Sequence, residues 1–503
     1  MNIKKLIILS VFLGVINAYA QDTVSHSQRV REQISPITNL LTEAYSSPSL
    51  YPFSRKFNYS LLAANLENTK KDLYLRQEGS GNGAFKINSE SFLKNISGIS
   101  LWGKAYYTNE KIKKVNFNET LDYQYVYPYV MADTVGGDLN AETYYFGGGL
   151  SKKIGELRYG IQGSFKGIQA YRDRDPRPKN ISSDIDFSVS VAKELNKGKA
   201  LSLDFNLRKY NQNNSLQFVN ELGFPLVYHD AGLGVFNELL AGTRMQAYYK
   251  GLSLGTQLNF APIDLKGLSV QIGFNRFNID KELSSIATNI AEIKENHAYL
   301  LLAYHRQLQS HNFLVRIKGA YVKREGVEAI YANTGAASLL KVSEEVRYNR
   351  EKLNVKLDVS YGKATKNLSW FLGIDGTFGT DNESYILPDR FIEYQTGSVG
   401  AFASLTKTVG KTMLNLEMKA SQIKVLNSDY SWENIDVKKG IYQMLNANYA
   451  YLTSDVFSMS SSLRADFPFN AKLGAFAKIK GMRTNYAGNN KGSELLLSFG
   501  VLF

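Results

Sequence analysis

The sequence predicts an all-β chain: a transmembrane antiparallel β-barrel of about 18 strands, within a range of about 14–22, closed by its C-terminal strand. Three observations predict it. Long segments of alternating apolar and polar residues recur along nearly the whole chain, the N-terminus reads as an export signal, and the last strand ends on an aromatic, Phe503.

Composition sets the frame. The chain has 503 residues, 44% hydrophobic and 12% aromatic, with 40 Gly, 10 Pro and no Cys. That length holds two or three soluble domains or one large barrel. The absence of cysteine excludes a disulfide scaffold, a cysteine zinc site, a thiol nucleophile and a lipidated N-terminal cysteine. With only 5 His, no histidine-rich metal site is expected, and no other cofactor. Beyond residue 20 there is no apolar run of about 18 residues, which excludes a helical membrane protein. The 32 Tyr and 27 Phe against 3 Trp, beside abundant Gly, favour strands and turns.

Residues 1–20 read as a signal peptide. Lys4 and Lys5 form a basic start, Leu6 to Val15 an apolar core, and Ala18-Tyr19-Ala20 a cleavage site ahead of Gln21. The mature chain is expected to begin at Gln21 and to reside in the bacterial outer membrane.

Residues 21–53 form a periplasmic N-terminal segment of different character. Val30, Ile34, Ile37, Leu40 and Leu41 recur at near-helical spacing, with Pro36 interrupting. One or two short helices, followed by the Ser46-Ser47-Pro48 turn, are expected at the periplasmic mouth or inside the lumen.

Residues 54–503 are the barrel. In Leu252 to Phe260, Leu252, Leu254, Thr256, Leu258 and Phe260 share one face, opposite Ser253, Gly255, Gln257 and Asn259. Leu353, Val355, Leu357, Val359 and Tyr361 oppose Asn354, Lys356, Asp358 and Ser360 in the same way. A soluble sandwich also alternates. These segments, however, run about nine to fourteen residues where soluble strands have roughly five or six, and no helical interlude is expected after residue 50. Aromatic doublets such as Tyr106-Tyr107, Tyr144-Tyr145 and Tyr248-Tyr249 suit rings at a membrane interface. At roughly 25 residues per strand with its share of loop, this length gives about 18 strands, and even counts are the rule.

The C-terminal stretch places Leu495, Leu497, Phe499, Val501 and Phe503 on one face. A last strand closing on a terminal aromatic is the usual insertion signal of such barrels. The expected partners are therefore the barrel assembly machinery and outer-membrane lipid, including lipopolysaccharide.

Loops alternate in the first half. Lys152–Gly155 and Asn196–Lys199 read as short periplasmic turns, whereas 109–138, 171–182 and 211–237 read as extracellular connections. In the second half the pattern breaks, because 426–440 is long while 452–455 and 467–471 are both short.

Chemistry is sparse. His229 beside Asp230, His297, His305 and His311 show no arrangement of a catalytic base, and no nucleophile-elbow, metalloprotease or phosphate-loop pattern occurs. No enzyme is expected. The stretch that stands out is Tyr171–Asn180. Arg172, Asp173, Arg174, Asp175, Arg177 and Lys179, with Pro176 and Pro178, make a stiff charged hairpin tip. Arginine forks there suit carboxylates, phosphates or lipopolysaccharide. The plainer reading is an Arg–Asp network holding the loop over the lumen, Arg172, Arg174 and Arg177 pairing with Asp173 and Asp175. Asp204, Arg208, Lys356 and Asp358 are expected to face a solvated lumen of mixed sign. The net charge of +13 is interleaved with acid and offers no stacking platform, so nucleic acid is not an expected partner.

The charged stretch at Tyr171–Asn180, the Gly147-Gly148-Gly149 strand and the Leu222-Gly223-Phe224-Pro225 loop resemble an uncharacterised outer-membrane β-barrel family of Bacteroidota. Such barrels tend to be encoded beside TonB-dependent receptors and a surface lipoprotein. The resemblance implies a channel or accessory of nutrient uptake acting with one of these partners, and it supplies no catalytic residues. The chain is not expected to be such a receptor itself, since the segment before the barrel is too short for a folded plug domain. The alternatives are a lipase-like or protease-like barrel enzyme, or a surface adhesin.

Overall fold

Alternation at period two becomes a closed cylinder. The computed structural model describes residues 24–94, 98–220, 225–242, 245–284, 288–332 and 340–503. The expected signal peptide and most of the Leu222–Pro225 loop lie outside them. Strands β1 (Tyr59–Lys71), β2 (Gly81–Lys94), β3 (Ile99–Val115), β4 (Gly137–Ile154), β5 (Leu157–Tyr171) and β6 (Arg177–Leu195) form the first third. Next come β7 (Lys199–Gln217), β8 (Gln246–Pro262), β9 (Gly267–Leu283), β10 (Thr288–Leu308), β11 (His311–Ala332) and β12 (Leu340–Ala364). The last third is β13 (Leu368–Tyr385), β14 (Arg390–Val409), β15 (Thr412–Trp432), β16 (Val456–Pro468), β17 (Gly474–Tyr486) and β18 (Lys491–Leu502).

Each strand pairs antiparallel with its neighbours in sequence, and β18 pairs with β1. The result is a closed 18-stranded meander. Closure leaves no unpaired sheet edge, which is what a strand protein needs in hydrocarbon. Beyond β18, the Phe503 N–H donates to the Ser60 carbonyl at 2.9 Å, and the Phe503 carbonyl accepts the Ser60 N–H in return at 2.6 Å.

The outer face carries the apolar set. On β7, Leu201, Leu203, Phe205 and Leu207 are exposed, and on β8 so are Leu252, Leu254 and Leu258. On β9, Leu268, Ile272 and Phe274 continue the band. Above it the same faces turn polar, with Lys209 and Asn211 on β7 and Lys250 on β8 pairing Glu282 of β9 at 2.6 Å. The barrel is thus an outer-membrane type whose strands continue past the lipid into water.

Connections after even-numbered strands are all short, and the long ones all follow odd-numbered strands. The short end is periplasmic. Lys197 (φ 66°) and Gly198 (φ 68°) make the β6–β7 turn left-handed, the twist a tight hairpin requires. Alternation holds around the whole barrel, which corrects the break expected in the second half. β15 reaches Trp432, and residues 440–452 are a helix, so 433–455 form one extracellular connection. A helix there also corrects the expectation of none after residue 50. Among the described residues, the helices in order are α1 (His26–Ile34), α2 (Pro36–Thr42), α3 (Tyr123–Val126) and α4 (Gly440–Leu452). Two other connections are narrower than expected, at 116–136 and 172–176, because the polar ends of the strands read like loop, and the third is shifted, to 218–245 from the expected 211–237.

The aromatic doublets split across the wall. Tyr107 and Tyr144 face outward with rings 5.1 Å apart, whereas Tyr106 and Tyr145 stack in the lumen at 4.8 Å. Tyr249 is buried and donates its hydroxyl to the Tyr129 carbonyl at 2.9 Å. Only half of each doublet therefore faces outward. Gly149 leaves room for the inward Trp102, whose ring would lie 2.3 Å from a Cβ at that position.

Candidate functional site: a lumen filled from both ends

The N-terminal segment fills the periplasmic half. Pro36 starts α2 with Ser35 as its cap, so the interruption seen in the sequence separates two helices. Ile37, Leu41, Tyr45 and Leu50 pack against Ala200, Ala261, Ala303, Leu314 and Phe371, inward residues near the periplasmic rim. Val30 and Ile34 pack against Tyr59, Phe92, Met413 and Leu502 on the opposite wall. Small alanines line the wall where the helices lie, and the apolar stripe of the segment meets them.

Polar contacts fix its position. Glu43 joins Arg316 (2.9 Å) and Lys318, and Arg316 also holds Asp358 at 2.8 Å. Ser47 and Asn259 hydrogen-bond Asp204 (2.5 Å each), with Ser202 within reach of Ser47 at 3.1 Å. Arg31 donates to Ser369 at 3.0 Å and Thr408 at 2.8 Å. Asp204, Lys356 and Asp358 thus face inward as expected, and Arg208 does too, bonded to Asp184 at 2.6 Å. A cavity of about 290 Å³ remains beside Ser46, Asp204, Gln257 and Tyr299.

The extracellular half is filled by connections that turn inward. Residues 116–136 enter the barrel, where Val126, Tyr127, Tyr129, Val130 and Met131 pack on Tyr210, Tyr249, Ile279 and Tyr348. Met131–Ala132 then pairs with Tyr228–Gly232, which pairs with Val235–Phe236, as a small three-stranded sheet. Met444 and Leu445 of α4 cover it through Phe117 and Tyr228. The Arg324 guanidinium donates to the carbonyls of Gln124 (2.8 Å) and Tyr127 (2.7 Å), tying this filling to the wall.

Arg172 locks the arrangement. Its guanidinium is buried and contacts Glu119 at 2.8 Å and Asp133 at 2.9 Å. It also donates to the Pro176 carbonyl at 2.8 Å, shaping the hairpin tip. Two carboxylates share one cation, so only one of them ionises. Burial, then the neighbouring Asp133, holds Glu119 well above the usual carboxylate range, so it stays protonated and bonds Asp133. Burial pushes Asp133 up as well, but the Glu119 hydrogen bond, Arg172 and the Gly136 N–H outweigh it and hold its carboxyl low. Deeper in the same filling, burial raises Asp230 to about 7.

The charged hairpin sits at the extracellular end, and its six residues do not form one network. Asp175 accepts N–H groups of Val219 (2.8 Å) and Asn220 (2.7 Å), which keep its carboxyl low, and pairs with Arg177 at 2.8 Å. The expected Arg–Asp network within the loop is therefore confined to Arg177 and Asp175. Arg172 reaches instead to Glu119 and Asp133, residues the sequence reading did not select. Asp173, Arg174 and Lys179 are exposed. The only local signal for the inward loop was its density of aromatics, unusual for a segment in water.

The remaining histidines are dispersed. His305 bonds the Leu265 carbonyl at 2.6 Å in a periplasmic turn, and His311 bonds the Tyr361 hydroxyl at 2.7 Å. His229 is buried in the inner sheet.

No curated protein matches the chain. Among solved structures it is similar to CdiB from Acinetobacter baumannii, at 8% identity and a TM-score of 0.35, covering 88% of this chain and 60% of that one. The chain thus spans 60% of the length of that structure. It is also similar to BauA, the ferric preacinetobactin receptor from Acinetobacter baumannii, at 7% identity and a TM-score of 0.39, covering 89% and 80%. A third is the ferric-catecholate import receptor Fiu from E. coli K12, at 8% identity and a TM-score of 0.40, covering 89% and 82%. A family model matches residues 48–503, and the chain belongs to the family of unknown function DUF6850.

Proposed function

We propose that this chain is an outer-membrane uptake barrel, a channel or accessory of nutrient import held closed here, acting with a TonB-dependent receptor or a surface lipoprotein. The observation that supports this reading is a polar lumen filled from both ends by segments of the same chain. Between the fillings, the inward-facing Lys104, Asn354 and Lys419 remain exposed. The N-terminal segment is held by apolar packing on the inner wall together with hydrogen bonds and ion pairs, and not by strand pairing with the barrel. Such a segment can leave without unpairing a barrel strand.

The reading assigns no catalytic step. The test is ion conductance of the purified barrel in planar bilayers, with and without residues 26–57, together with co-purification from outer membranes. A barrel that stays silent after both fillings are released, and that retains no receptor or lipoprotein, would overturn it.

A further inference from the structure

The outer rim holds a cavity of about 870 Å³, bounded by the β1–β2 connection, the ends of β3 and β4, the 172–176 hairpin and the first turn of α4. That volume lies within the usual range for small-molecule sites, about 300–1,000 Å³. Its charge is lopsided. Arg76, Lys111, Lys114 and Arg174 line it against Asp138 and Asp173, while Arg172 at its floor is committed to Glu119 and Asp133. Lys111 pairs with Asp138 at 3.4 Å. The side-chain cations of Arg76, Lys114 and Arg174 have no carboxylate partner among the described residues, and the Lys114 backbone N–H donates to Asp138 at 3.1 Å.

The cations stand on separate walls, which suits a ligand bearing more than one negative oxygen. Arg76 is pre-positioned: its guanidinium lies 4.8 Å from the Tyr74 ring centroid and donates to the Tyr74 hydroxyl at 2.7 Å. That contact reduces the rotamer freedom lost on binding. Asn116, Asn140 and Gln443 add polar groups for a hydroxylated frame, and Phe117 offers an apolar face. Lys111 and Asn140 lie on the outward face, four residues along the register above the outward Tyr107–Tyr144 pair. The cavity thus opens at the level of lipid headgroups as well as to the medium.

The geometry points to a binding site for a phosphate-bearing polar ligand, formed by Arg76, Lys114 and Arg174. Guanidinium forks match phosphate oxygens in pairs, and lysine adds a point charge. Two sources supply that chemistry, the phosphates of lipopolysaccharide and a free phosphorylated solute. The inference does not depend on the uptake reading, because it concerns binding and not conduction.

The test uses the full barrel, purified in detergent free of lipopolysaccharide, and the triple variant Arg76→Gln, Lys114→Gln, Arg174→Gln. Heat-modifiable migration checks that the variant is folded. Calorimetry with glucose 6-phosphate and with glucose reads the free-solute arm, and vesicles with and without lipopolysaccharide read the lipid arm. The expected result is binding of glucose 6-phosphate or of lipopolysaccharide vesicles, but not glucose, weakened about tenfold or more in the variant and by added salt. Binding in the first arm alone identifies a solute, and in the second alone the lipid. Parent and variant indistinguishable in both arms, or glucose bound as well as its phosphate, would overturn the assignment.

Discussion

Arg172 and Asp133 meet at 2.9 Å, joining the tip of an extracellular hairpin to the far end of a loop folded into the barrel. The pair is buried and has Glu119 as its proton-bearing neighbour. Together with the Arg172–Glu119 contact at 2.8 Å, it couples the charged hairpin to the filling of the extracellular lumen.

Arg172→Ser should therefore release residues 116–136. Removing one partner of a buried pair leaves an uncompensated charge, at a cost of about 3–5 kcal/mol. Arg174→Ser and Arg177→Ser, at exposed or half-exposed positions, should each stay within about 0.5 kcal/mol. Thermal melting and limited proteolysis of residues 116–136 check this. Equal protection of the loop in all three variants would contradict the lock.

Conductance should respond to the two fillings in series. Deleting residues 26–57 opens only the periplasmic half, and Arg172→Ser loosens only the extracellular half. Each alone should leave single-channel conductance low, and the two together should raise it severalfold. Full conductance from the N-terminal deletion alone would show that the inward loops do not seal the barrel.

The lock should also depend on pH. Glu119 is raised, so its contribution is complete below its unfolded value of about 4.3 and is lost as pH rises through the folded one. Asp133 is lowered, so its contribution is present above about 3.9 and lost as pH falls through the lowered value. The loop should be best protected in mildly acidic solution and loosen toward alkaline pH. Glu119→Gln, which keeps a neutral hydrogen-bonding group, should abolish the alkaline loosening. Proteolysis rates at about pH 5 and about pH 9 measure it; identical rates in the parent would refute the coupling.

Position on the wall should decide the cost of a charge. Leu254→Arg, on the lipid face, should destabilise the barrel by about 2–4 kcal/mol if near the midplane, whereas Asn354→Arg in the hydrated lumen should cost far less. Deleting Phe503 should reduce insertion, since it removes the reciprocal backbone bonds with Ser60 that extend the closing pair. Urea unfolding in lipid vesicles checks the first, and outer-membrane yield checks the second.

The sequence by itself determined the barrel. Period-two alternation assigns each residue to lipid or lumen whatever its partner is, so Leu252–Phe260 and Leu353–Tyr361 revealed their faces without a structure. Chain length then gave the strand number, because each lipid crossing uses a similar length of chain. Only the tertiary structure decided what fills the barrel. Loop residues such as Tyr127 and Met131 have no period to declare their direction, and α4 was misread because a short apolar run fits a strand as readily as a helix. Glu119 and Asp133 become partners of Arg172 only when their loop folds inward, a choice made by aromatic packing against the wall at Tyr210, Tyr249 and Tyr348. Local pattern fixes which side of a strand a residue faces, while contacts between loops distant in sequence depend on packing that no local pattern encodes.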